Sequence, residues 1–227
     1  MIRALIFDFD GLILDTETPE FLAWQSIYRE HGYELPAHEW GKIVGGYGIS
    51  NFDAAEHLAR LAHGRLDAVS LRARHQAESA AVIASSPILP GVENIIHEAK
   101  KLGLKLAIAS SSSHSWVDTH MKRLGIFDHF DKIICAEDVP PGRTKPNPDL
   151  FLEVLDQFKI RANEAVVFED SPNGVKASQS AGIFVVLVTN PTTSPLVFDG
   201  KFLELNSLAE MRLSELLQGL KGEDLPA

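Results

Sequence analysis

The chemistry in this chain begins with two carboxylates. An apolar run, Ala4-Leu5-Ile6-Phe7, leads directly into Asp8-Phe9-Asp10-Gly11. Such a run reads as a strand buried on both faces, of the kind parallel sheets use. Asp8 and Asp10, spaced i, i+2, then emerge at the strand's carboxyl end, and Gly11 lets the backbone turn sharply away. In open α/β sheets that edge is where ligands bind. Two like charges about 4 Å apart repel by roughly 4 kcal/mol at an effective dielectric near 20, so something must offset them. A hard cation is the natural remedy, and Mg²⁺ favours one or two carboxylates with phosphate oxygens and water.

Three other stretches carry polar groups of the same kind. Residues 104–109 are apolar in the main and run into Ser110, Ser111, Ser112 and Ser113. Hydroxyls and backbone N–H groups at a helix start can cradle an anion, although a serine there by itself does no more than cap a helix. Lys145 precedes Pro146-Asn147-Pro148, a rigid turn from which its ammonium could serve as a point charge for phosphate. Taken alone, it reads as a solvated surface lysine. The run Ala165-Val166-Val167-Phe168 ends in Glu169-Asp170, with Ser171-Pro172-Asn173-Gly174 opening a helix. Acids at a helix start favour its dipole, but these two abut a buried run as Asp8 and Asp10 do. If the strands are neighbours, four carboxylates converge, with Lys145 and a divalent cation to balance them.

The elements that must position these groups follow from pattern. Strand-like runs at 104–110, 132–136, 165–168 and 183–189 alternate with helical patterns near 92–102, 116–124, 148–158 and 173–181. Alternating β and α units predict an α/β fold, a doubly wound parallel sheet. Between strand one and this block, residues 15–86 read as helical, with Phe21, Trp24 and Tyr28 at helical spacing and Gly32 as a stop. The expected organisation is a core of residues 1–14 and 87–227 with a helical cap domain, 15–86, inserted after the first strand. The tail from Lys221 is polar and expected to fray.

Composition narrows the partners. The balance of 21 basic and 31 acidic residues gives a net charge of −10, without a basic run. That argues against nucleic acid or an anionic membrane as partner. A single cysteine excludes an internal disulfide and suits a reducing compartment, and no stretch approaches ~18 apolar residues. A cytoplasmic monomer acting on a small metabolite is the expectation.

With these motifs in place, the chain resembles the haloacid dehalogenase superfamily of aspartate-nucleophile phosphotransferases. Within it, the likeness is to the β-phosphoglucomutase and phosphoglycolate phosphatase group with a helical cap. The matching signatures are Asp8-Phe9-Asp10-Gly11, Ser110, Lys145-Pro146 and Glu169-Asp170, in order. The resemblance implies that Asp8 is the nucleophile forming an aspartyl phosphate. It makes Asp10 the general acid/base, whose backbone carbonyl also binds the metal. Ser110, Ser111 and Lys145 would hold the phosphoryl group, and Glu169 and Asp170 would complete a Mg²⁺ site with Asp8. Near the reference carboxylate pKa of about 3.9, Asp8 would be ionised at neutral pH. The family's mutases carry a histidine aligned with Glu20 and a cap arginine near Ile49, both missing from this chain. The implied activity is therefore a phosphatase for a small phosphorylated metabolite, with a sugar phosphomutase as the alternative. A non-catalytic binding protein is disfavoured by the intact acids and lysine, and a dehalogenase by Asp10 and the Glu169-Asp170 pair.

The remaining candidates read as structural or peripheral. Cys135, in Ile133-Ile134-Cys135-Ala136, is expected to be a buried thiol. The nine histidines show no His-Glu-x-x-His spacing for zinc. Trp24 and Tyr28 are expected in the cap core. Gly45-Gly46-Tyr47-Gly48 reads as a cap loop facing the site, or as a plain turn. His114 and Arg143 lie near the phosphate-binding loops, with contact to substrate and plain solvation both open. Linkers at Thr16-Glu17 and Ser85-Ser86-Pro87 would let the cap open and close.

Overall fold

The structure, a computed structural model, describes residues 1–40 and 52–222. Its organising feature is a six-stranded sheet in the order β3-β2-β1-β4-β5-β6, every neighbouring pair parallel. The strands are β1 Ala4–Phe7, β2 Lys105–Ala109, β3 Lys132–Ile134, β4 Ala165–Glu169, β5 Phe184–Val188 and β6 Leu203–Leu205. β1 lies at the centre between β2 and β4, so the ends carrying Asp8, Ser110 and Glu169 are adjacent.

Burial on both faces explains why these strands are apolar without alternation: all four residues of β1 and all five of β4 are buried. Alternate side chains serve opposite layers. Leu5, Phe7, Leu106, Ile108, Val166 and Phe168 join a core completed by helices α5 (Val92–Lys101), α6 (His114–Arg123) and α9 (Leu213–Gly222). Ala4, Ile6, Ala107, Ala109, Ala165 and Val167 pack on the other side against α7 (Asp149–Phe158) and α8 (Pro172–Ser180). Phe7 stacks on Phe168, with ring centroids 4.9 Å apart, locking the central pair together.

Between β1 and α5 the chain forms α1 (Glu17–Glu30), the short α2 (Ala37–Trp40), α3 (Ala54–Leu61) and α4 (Ala68–Ser85). These helices have an apolar core of their own, which includes Trp24, Ile27, Tyr28, Trp40, Leu58 and Leu71. Tyr28 is fully buried, and its hydroxyl donates to the Ala54 carbonyl at 2.6 Å. Trp24 and Tyr28 are thus packing residues, as expected. Gly45-Gly46-Tyr47-Gly48 and Ile49 lie outside the described residues.

The helical and strand patterns of the sequence agree with the observed elements within a few residues. β3 ends sooner than the predicted 132–136, because the chain turns into a single 3₁₀ turn at Ala136–Asp138. β6 and α9 carry too little pattern to be called from sequence: β6 is three residues long at a sheet edge, with only Leu205 partly buried. No helix among the described residues is long and apolar enough to cross a membrane.

Candidate active site

The site is assembled from the carboxyl ends of β1, β2 and β4 and from the loop preceding α7. Asp8 follows β1 directly, and its backbone N–H donates to the Phe168 carbonyl at 3.0 Å. This bond extends the β1–β4 ladder by one residue and sets Asp8 beside Glu169-Asp170. Past Phe9 and Asp10, Gly11 takes φ +77°, where a side chain is strained. A Cβ there would also collide with the Asp170 carboxylate and crowd the Asn190 amide, so glycine is required twice over.

Asp8, Glu169 and Asp170 each bring a carboxylate oxygen to within 4.8 Å of the others, and all three are buried. Lys145 lies between two of them. Its Nζ donates to Asp8 Oδ1 and to Glu169 Oε1, both at 2.6 Å, and the residue is only 2 % exposed. The solvated surface lysine suggested by its local sequence is therefore a buried ion-pair hub. Fully ionised, three carboxylates and one ammonium leave two negative charges without a partner. Burying such charges is costly unless they are balanced.

The individual oxygens refine this picture. Glu169 is saturated: besides Lys145 it accepts from the backbone N–H groups of Asp170 and Ser171 and from the Ser171 hydroxyl at 3.0–3.1 Å. Gly174, the residue facing it from α8, has no room for a Cβ. Asp170 Oδ2 accepts from Asn190 Nδ2 at 2.7 Å, whereas Oδ1 is buried without a hydrogen-bond partner. A buried carboxylate oxygen with no donor, beside Asp8 and two surplus negative charges, fits a hard divalent cation held by oxygen ligands.

Titration follows the same electrostatics. Burial, then the charge of Glu169, pushes the Asp8 carboxyl up to about 7 against the opposing pull of Lys145. It is not near the reference value that its residue type alone suggests. Burial, then Glu169 and Asp8, likewise raises Asp170. Lys145 is raised: burial works against its charge, but Asp8 and Glu169 outweigh it. A divalent cation in this position would favour the ionised carboxylates.

Asp10 does not join the acid triad. Its Oδ1 accepts from the indole Nε1 of Trp116 at 2.8 Å, and Oδ2 from Ser112 Oγ at 2.6 Å and Ser110 Oγ at 3.4 Å. The serine run thus grips Asp10, while the Ser111 hydroxyl is buried without a partner. Facing these groups from the first turn of α1 are Glu17 and Glu20, whose side chains make no hydrogen bond or ion pair among the described residues. Burial, then the charge of Asp10, pushes Glu20 up to about 7. Burial raises Glu17 as well, followed by the charges of Glu20, Asp10 and Asp8.

Several of these partners had no signal of their own. Ser112 lies in the loop just before α6 and Trp116 in its first turn, and only the fold sets this helix start against Asp10. Asn190 hydrogen-bonds to Asp170 from a turn with unremarkable sequence, whereas Ser171, which bonds to Glu169, stands at the helix opening that the sequence marks. Of the peripheral candidates, His114 bonds to Asp138 Oδ2 at 2.7 Å and Arg143 to Asp149 at 2.9 Å, so both are engaged with acids. Cys135 is buried, and burial raises its thiol.

Comparison with known proteins agrees with this arrangement. The family model of haloacid dehalogenase-like hydrolases matches residues 5–188. The chain is 42% identical over 224 residues to YhcW of Bacillus subtilis (strain 168), whose name carries the word phosphatase, covering 99% of this chain and 100% of that one. It is 29% identical over 224 residues to a phosphorylated carbohydrates phosphatase of Thermotoga maritima, covering 97% and 99%. The β-phosphoglucomutase of Clostridium difficile shares the fold, with a TM-score of 0.72 at 23% identity over 98% of each chain. The parallel sheet, the acid-lined rim at its carboxyl edge and these matches lead to one assignment: the chain belongs to the haloacid dehalogenase-like hydrolases.

Proposed function

We propose that the protein is a Mg²⁺-dependent phosphatase hydrolysing a small phosphate monoester, such as a sugar phosphate, through an aspartyl phosphate on Asp8. The observation that carries this reading is the buried set of Asp8, Glu169 and Asp170 with Lys145 donating to two of them. In the first step an Asp8 carboxylate oxygen attacks phosphorus while the ester P–O bond breaks and Asp10 gives a proton to the leaving oxygen. In the second step Asp10 takes a proton from water, the hydroxyl attacks phosphorus, and phosphate and free Asp8 result. Lys145 holds Asp8 in place and lends positive charge to the phosphoryl oxygens, where positioning and charge stabilisation do most of the work. Ser110 and Ser111 contribute hydroxyls at the same edge. Asp8 and Asp170, with the Asp10 carbonyl and Glu169 nearby, would hold Mg²⁺, which supplies charge neutralisation to the transferring group.

The helices of residues 15–86 act in this reading as a cap that closes over the site and excludes bulk water. Glu20 favours hydrolysis over a mutase reaction. A bisphosphate presented to the site would meet an acid there rather than a cation, so this position offers no positive charge to hold a second phosphate. The relative named for phosphorylated carbohydrates supports the substrate class. The shared fold of a mutase at 23% identity does not speak for its activity.

The test is phosphate release from a panel of metabolite phosphates with Mg²⁺. Release from one or a few sugar phosphates is expected. Conversion of β-glucose 1-phosphate to the 6-phosphate without net phosphate release would replace this reading with the mutase one.

A further inference from the structure

Asn190 lies immediately beyond β5, in a turn that no motif of the sequence marks, yet it reaches across to the acid triad. Its Nδ2 donates to Asp170 Oδ2 at 2.7 Å and to the Gly11 carbonyl at 3.3 Å. The other end of the amide is equally committed. Oδ1 accepts from the Thr192 and Thr193 backbone N–H groups, both at 3.0 Å, and from the Thr192 hydroxyl at 2.6 Å. With two backbone donors aimed at one end, a flipped amide would set N–H against N–H, so the network itself dictates which end faces Asp170. The turn is closed from below as well, since the Asn190 N–H donates to Oγ1 of the fully buried Thr193 at 3.0 Å.

We infer that Asn190 is a positioning residue for the cation site: it takes one oxygen of Asp170 and thereby aims the other, the unpartnered Oδ1, at the ion. The inference rests on the reading above, in which Asp170 is a metal ligand. A carboxylate held at one oxygen by a fixed donor presents the second at a defined angle. A free one would rotate among positions and lose order on binding. Gly11 makes the arrangement possible, because any side chain there would occupy the space in which the Asn190 amide and the Asp170 carboxylate meet. Two strand ends and the turn after a third are thus tied together through one amide group.

Outer partners of metal ligands typically contribute 10–100-fold to metal affinity. Asn190→Ala is therefore expected to weaken Mg²⁺ binding by about 10–100-fold, measured by calorimetry on the metal-free protein without substrate. Thr193→Val disturbs the same turn without touching Asp170 and should lower the melting temperature while leaving Mg²⁺ affinity near wild type. If Asn190→Ala does not fold, Asn190→Ser keeps a hydroxyl acceptor for the turn's N–H groups, is too short to reach Asp170, adds no charge, and is expected to show the same loss. Wild-type affinity in the Asn190 variants, or an equal loss in Thr193→Val, would overturn the inference while leaving the phosphatase reading intact. Absence of Mg²⁺ binding by the wild-type protein would instead remove the reading on which it rests.

Discussion

Lys145 Nζ sits 2.6 Å from Asp8 Oδ1, although 137 positions separate them in the chain. The pair is buried, with Glu169 as the lysine's second carboxylate partner, also at 2.6 Å. A cation so enclosed costs several kcal/mol to desolvate, and only its partners offset that. The same geometry has consequences for stability, for pH and for the reaction.

Replacing Lys145 with methionine keeps the volume and removes the charge. Asp8 and Glu169 would then be buried acids without their shared cation. Breaking a buried pair by removing one partner costs about 3–5 kcal/mol. Lys145→Met is expected to melt roughly 6–20 °C lower in EDTA, at about 2–4 °C per kcal/mol for a chain of this size. A melting temperature within 2 °C of wild type would show that the lysine does not hold these acids.

The acids predict how Mg²⁺ and pH act together. Asp8 holds its proton up to about pH 7 in the folded, metal-free protein, and Asp170 is raised in the same direction. Folded carboxyls that bind protons more tightly than unfolded ones lose their stabilising contribution as pH rises from about 4 to about 7. Mg²⁺ binds the ionised forms, so its stabilising effect must grow over that range. At about 100-fold its dissociation constant it should contribute about 2.7 kcal/mol, or about 5–10 °C, at pH 8, and clearly less at pH 6. Burial lowers His57, His75 and His120, which act in the opposite sense, but they drop out of the difference with and without metal. Equal shifts at both pH values in a thermal melt would contradict the account.

Trp116 donates its indole N–H to Asp10 while its ring packs on His120, with centroids 4.3 Å apart. Phenylalanine would keep the packing and remove the donor. A hydrogen bond to a charged group contributes about 1.5–3 kcal/mol, so kcat should fall by about 10-fold or more while the Mg²⁺ requirement stays put. A kcat within twofold of wild type would mean that the indole does not position the acid.

Much of this was legible before any fold was drawn, and what was not has a physical reason. Asp8, Asp10, Glu169 and Asp170 announce themselves because carboxylates adjoining buried apolar runs need an explanation. β1, β2, β4 and β5 are readable because burial on both faces demands continuous apolar residues. Lys145 was a candidate from its rigid Pro-Asn-Pro turn, but taken alone it has an ordinary surface appearance, and only its company with the other motifs gave it weight. Glu169 illustrates a second limit. Its residue type fits a metal ligand, but only the structure shows both oxygens already engaged by Lys145, Ser171 and two backbone N–H groups. Asn190 and Trp116 were invisible because their roles depend on a partner 20 and 106 positions away. β6 escaped because a short edge strand with little buried surface leaves no pattern.

The central claim is that Asp8 attacks phosphorus in a site that requires a divalent cation, and the most direct measurement is phosphate release from a generic aryl phosphate by wild type and Asp8→Asn. The account predicts release by wild type that EDTA abolishes and Mg²⁺ restores, and none by a folded Asp8→Asn under either condition. Release that persists in EDTA, or turnover by Asp8→Asn near the wild-type rate, would contradict it.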